Sequence, residues 1–217
     1  MRAKVAVAQD GLVSQEVLET GAERPSRGVP AWVAWTLGLV ALVLITLANV
    51  VVAGELALRS LEADNLVSAV EQSETAMKTT QTDFDDVLSA YDTENLTEEE
   101  REQLSADLAD VAARGVAAIA FAGEGVAEVQ IMPWHTNILE AREAYLAHNQ
   151  AWVDYMAAAS EDSAEWFRPQ PAVNESFAEA KMPLVGAVPS FDFLQTVPRI
   201  EFIYVSGSGD SGSGQAA

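Results

Sequence analysis

Two histidines, 33 aspartates and glutamates and no cysteine bound the chemistry open to this chain. Without cysteine there is no thiolate nucleophile, no Cys-ligated metal and no lipoprotein-type Cys anchor. His135 and His148 stand 13 positions apart. On one helix that spacing turns them by about 220° and separates them by roughly 20 Å, too far to share a metal ion. Neither belongs to a Glu-x-x-His or His-Glu-x-x-His pattern, which argues against a two-metal helical site and a zinc protease. No metal and no cofactor is expected.

The carboxylates do not spell a calcium loop. Such a loop needs oxygen ligands at alternating positions and a glycine at the sixth. Counting from Asp83, the fifth and sixth positions are Val87 and Leu88; counting from Asp92, the fifth is Leu96. Glu140 and Glu143 lie one helical turn apart, but paired carboxylates do acid–base work only where a cleft shifts their pKa values. Among so many acidic residues a pair at that spacing arises by chance. No serine sits in a Gly-x-Ser-x-Gly or Ser-x-x-Lys arrangement, and there is no phosphate-cradling glycine loop. Asn95 and Asn174 begin glycosylation-like triplets, yet both fall where helix caps are expected. The chain reads as non-enzymatic.

One aromatic stripe could take a ligand. Trp134, Ile138, Ala141, Tyr145, His148, Trp152 and Tyr155 recur at three- and four-residue steps, the spacing of one helix face. Trp134, Tyr145, His148 and Trp152 are the candidate ligand-binding residues, since such rings offer an apolar body with a polar handle. The competing reading is ordinary core.

The elements that must position these residues are helical. Ala63, Val67, Val70, Glu74, Met77, Gln81, Phe84, Leu88 and Tyr91 form a 3.5-residue seam. Thr97-Glu-Glu-Glu100 fits a capping box that starts a second helix. Its stripe is Leu104, Leu108, Val111, Gly115, Ile119 and Ala122, and Gly123 and Gly125 are expected to end it. A third helix is expected from Pro133 to about Ser160. A short fourth is expected from an Asn174 cap to Lys181 or slightly beyond, with Pro183, Pro189 and Pro198 confining the remainder to short pieces. Residues 198–205 suit a strand or a helical turn equally. The expected fold class is all-α: a single transmembrane helix, an antiparallel helical-bundle ectodomain of three to four helices, and disordered termini.

The transmembrane reading comes from residues 28–54, which carry no charge. Ala31 to Ala53 would make a helix of about 34 Å, enough to cross a hydrocarbon core near 30 Å. Trp32 and Trp35 sit at its N-terminal end, suited to the membrane interface. A signal peptide cleaved near Ala53 is the rival, but its apolar region would be shorter. Asn49 is the strongly polar side chain of the run, and Ala34 with Gly38 makes a small-residue pair.

Positive charge flanks the run mainly at its N-terminal side, through Arg2, Lys4, Arg24 and Arg27, against Arg59 after it. That bias predicts a cytoplasmic N-terminus and an extracytoplasmic C-terminal domain. All of the net charge of −21 falls after the run. So acidic a domain repels nucleic acid, which is excluded as a partner. The organisation expected is a flexible cytoplasmic leader at 1–28, a transmembrane helix at 29–54, an acidic helical ectodomain at 55–205 and a disordered Gly/Ser tail at 206–217. Its partners would be the lipid bilayer and another membrane or envelope protein. Nine arginines against three lysines, with abundant alanine, carry the bias of GC-rich bacterial genomes. The function expected is an interaction or accessory protein of the cell envelope. The alternative is a ligand-binding or sensing ectodomain on the aromatic face of the third helix.

Overall fold

The computed structural model describes residues 30–190 and 192–207. The expected leader at 1–28 and residues 208–217 of the expected tail lie outside them. Five α-helices follow in order: α1 (Ala31–Ser89), α2 (Glu98–Ala127), α3 (Thr136–Glu161), α4 (Pro171–Ala187) and α5 (Phe193–Gly207). A short 3₁₀ helix, Ser163–Phe167, joins α3 to α4. There is no strand among the described residues. The fold is all-helical, with one long apolar N-terminal helix.

The chain divides into two compact units, one ending at Ala48 and the other beginning at Asn49. In the first, the large apolar side chains from Leu37 to Leu47 are exposed to their surroundings. Thr36 and Thr46 donate their hydroxyls to the Val33 and Leu42 carbonyls at 3.0 and 2.8 Å. Polar atoms inside an apolar helix are thereby satisfied within the helix itself.

In the second unit the α1 seam is inward. Ala63, Val67, Val70, Met77 and Phe84 are buried, and Leu66, Ser73 and Thr80 widen the buried stripe. Two apolar clusters result. One gathers Leu66 and Val70 of α1, Val126 of α2, Ile138 and Tyr145 of α3, Leu184 of α4 and Ile200 of α5. The other gathers Met77 and Phe84 of α1, Leu108 and Ile119 of α2, Trp152 and Met156 of α3, and Val173 of α4. Each fully buried Leu, Ile or Met contributes about 1.5–3 kcal/mol. Trp166, from the 3₁₀ helix, stacks on Phe84 with ring centres 3.6 Å apart.

The capping box at the start of α2 is present: Thr97 accepts from the Glu100 amide, and Glu100 accepts from the Thr97 amide. Several expected boundaries move. Gly123 and Gly125 lie inside α2, which runs on to Ala127. Gly123 is buried against the Asn149 side chain, and a Cβ there would collide with the Asn149 amide. It is a glycine of close approach, not a terminator. The third helix starts at Thr136, with His135 as its N-cap residue, so Pro133 and Trp134 precede it.

Farther on, α4 starts at Pro171, whose fixed φ suits the first turn, so Asn174 lies inside the helix and is not its cap. Pro183 and Pro198 sit within α4 and α5 and do not end them. Each proline removes one backbone hydrogen bond, and burial of Leu184, Ala187, Ile200 and Ile203 nearby offsets that loss. Residues 198–205 are helical: Ile200, Ile203 and Tyr204 are buried at the i, i+3, i+4 spacing of a helix, not the alternation of a strand.

Candidate functional site

Glu55 and Glu62 are seven residues apart on α1, so two helical turns bring them to the same face. His135, at the start of α3, fits between their carboxylates. Its Nδ1 lies 2.5 Å from Glu62 Oε2 and its Nε2 lies 2.6 Å from Glu55 Oε1. The Met132 amide donates to the other Glu62 oxygen at 3.1 Å, and the Trp134 indole N–H donates to Glu55 Oε1 at 2.9 Å. The His135 and Glu62 side chains are 4% and 5% exposed, whereas Glu55 is 45% exposed.

Donor and acceptor capacity fixes the charge state. An ionised carboxylate only accepts, and a neutral imidazole has one N–H to give. With both carboxylates ionised, the contacts at the two ring nitrogens are satisfied together only by the doubly protonated ring. Burial alone pushes His135 down, but the hydrogen bonds and charges of Glu62 and Glu55 outweigh it and hold its pKa above the ordinary value of 6.5. The hydrogen bonds of His135 and Trp134 and the charges of His135 and Arg59 together lower Glu55. This arrangement holds its proton tightly between two acceptors and has no free lone pair for a general base. It ties the α2–α3 loop to α1.

A second polar group lies between α1, α3 and α4. The Tyr145 hydroxyl donates to Glu74 Oε1 at 2.8 Å, and burial raises the Tyr145 pKa well above its ordinary value. His148 Nε2 is 3.6 Å from the same Glu74 oxygen. His148 Nδ1 is 3.1 Å from Ser176 Oγ, and Ser176 donates its own hydrogen to the Val173 carbonyl at 2.9 Å. Ser176 therefore accepts from His148, which assigns the ring proton to Nδ1. Asn149 donates to Ser73 Oγ and to the Ile119 carbonyl at 2.9 and 3.1 Å.

Among the four aromatic-face candidates, Tyr145, His148 and Trp152 are buried. Tyr145 and His148 are brought together, with ring centres 5.7 Å apart and Glu74 between their polar atoms, but Trp152 belongs to the second apolar cluster and not to their group. Trp134 leaves the stripe altogether, preceding α3 and lying exposed against Glu55. A groove between α1 and α2, lined by Gln72, Thr75, Thr79, Asp83, Arg114 and Ala118 among others, includes none of them. Trp32 and Trp35, the membrane-interface candidates, are exposed on α1. Among the described residues, no three His, Asp or Glu side chains converge where they would hold a metal ion.

Glu55 and Glu62 did not stand out in the sequence. The available signal was their heptad spacing just after the apolar run, beside Ala63 of the seam. Their partner, 73 to 80 residues away, carried no local cue. Compared with family models, curated proteins and solved structures, the chain matches none.

Proposed function

We propose that this chain is a single-pass membrane protein whose helical domain serves as a non-enzymatic interaction or accessory module of the cell envelope. Ala31–Ala53 crosses the bilayer, the N-terminus is cytoplasmic, and the acidic domain of residues 55–205 lies outside. The observation that carries this reading is the uninterrupted apolar start of α1, whose Leu, Val and Ile side chains are exposed among the described residues. Exposed apolar surface on that scale belongs in lipid or against a partner.

The domain is read as an antiparallel bundle. Along α1 and α3 the first apolar cluster precedes the second, and along α2 and α4 the order reverses. Its polar groups support an interaction role over catalysis, because His135 and His148 are each engaged in tying helices together. The ligand-binding alternative loses support with the burial of Tyr145, His148 and Trp152.

The test is crosslinking of the full chain in native membranes, followed by identification of what co-purifies. A specific envelope protein is the expected partner; recovery of the chain alone overturns the interaction role. Resistance to alkaline extraction tests the anchor. Protease digestion of the C-terminal domain on intact cells tests the orientation, and a protected domain overturns it.

A further inference from the structure

Trp134 is a large aromatic residue left 61% exposed, yet it is fixed in place. Its indole N–H is held by Glu55, and its backbone neighbours are held by Glu62 through the Met132 amide and the His135 ring. Glu55 comes two residues after Ala53, the last residue of the apolar run. At about 1.5 Å per residue, its Cα is only about 3 Å farther along α1. A helical side chain leans toward the helix N-terminus, which brings the Glu55 carboxylate back toward Val51 and Val52, both exposed.

We infer that the α2–α3 loop is a second membrane contact, with Trp134 and Met132 seated in the headgroup layer beside the emerging helix. This rests on the membrane reading above. The occupant is lipid because Glu55, which holds Trp134, stands on α1 between the exposed apolar side chains of Val52 and Leu56. The headgroup region adds roughly 5–8 Å to each side of the hydrocarbon core, and an indole hydrogen-bonded to Glu55 falls within that depth. Trp is the residue type that favours this layer, with its ring among acyl-chain ends and its N–H paired. The latch removes the obstacle that a carboxylate at the bilayer edge presents. Glu55 accepts from Trp134 and His135, so its desolvation is compensated.

Because the chain contains no cysteine, single-site labelling is clean. Met132→Cys, Glu94→Cys in the α1–α2 loop and Val43→Cys within the apolar run are each labelled with a polarity-sensitive fluorophore. Each full-length variant is reconstituted in phosphatidylcholine vesicles containing nitroxide lipids, with the nitroxide either high or deep on the acyl chain. The expected result is several-fold stronger quenching at position 132 than at 94 by the shallow nitroxide, with position 43 quenched by the deep one. Quenching at 132 equal to that at 94, with 43 still quenched, overturns the second contact and leaves the anchor standing. An unquenched label at 43 overturns the anchor and this inference with it.

Discussion

His135 joins Glu55 and Glu62 by hydrogen bonds of 2.6 and 2.5 Å, so a single imidazolium spans two turns of α1. Removing one partner from a buried pair leaves an uncompensated charge and typically costs about 3–5 kcal/mol. Glu62→Ala, at the buried end, is expected to lie in that range in urea denaturation of the full chain in detergent. The double variant Glu62→Leu with His135→Leu is expected to be more stable than either single change. A loss below about 0.5 kcal/mol for Glu62→Ala, the size of an ordinary surface substitution, overturns the latch.

The same contact has a pH signature. His135 is raised above 6.5, so its contribution is complete below that value and is lost as pH rises through the folded-state pKa. Glu55 is lowered from 4.5, so its contribution is complete above that value and is lost as pH falls through the folded-state pKa. Both are present together between 4.5 and 6.5. Thermal denaturation of the wild type is expected to show stability falling above that window, more steeply than in His135→Gln. Parallel profiles for the two proteins count against the charge assignment.

Three glycines of α2 separate packing from helix propensity. A Cβ at Gly115 would stand 2.6 Å from Thr80 Cγ2, and one at Gly123 would strike the Asn149 amide, whereas Gly125 has open space around it. Gly→Ala favours an exposed helix interior by about 1 kcal/mol, but overpacking costs about 1–3 kcal/mol. Gly123→Ala is expected to destabilise, because Asn149 also holds Ser73 and the Ile119 carbonyl. Gly125→Ala is expected to stabilise by up to about 1 kcal/mol. Denaturation midpoints moving in the same direction for both would refute the close-packing account of Gly123.

Helix spacing made most of this fold legible. The α1 seam from Ala63 to Phe84 and the Thr97 capping box are local signals, and both are present. Glycine and proline misled, because their effect is tertiary here: Gly123 admits Asn149 and Pro183 is carried by buried neighbours. The aromatic stripe correctly located inward positions at Tyr145 and Trp152, but periodicity cannot distinguish a groove from a core. The Glu55–His135–Glu62 latch was invisible for a different reason. Its parts lie on segments 73 to 80 residues apart, and only the packing of α3 against α1 makes them neighbours.

Arg199 fastens α5 to α1 in a way open to direct measurement. Its guanidinium donates to both Glu71 oxygens at 2.9 and 2.7 Å, to Ser68 at 3.1 Å and to Asp64. The hydrogen bonds it donates to Glu71 are the chief reason its pKa lies above the ordinary value. Because these side chains are partly exposed, solvent screens the pairing, and Arg199→Ala is expected to cost only about 1 kcal/mol in global stability. The local effect should be larger in proportion, since Arg199 lies within α5 and its contacts with Asp64, Ser68 and Glu71 all reach α1. Amide hydrogen exchange in residues 200–205 is expected to accelerate in Arg199→Ala. Arg199→Lys should restore little, because an ammonium cannot reproduce the two-pronged contact with Glu71. Exchange rates in α5 unchanged by Arg199→Ala would show that the Arg199 contacts do not hold the helix in place.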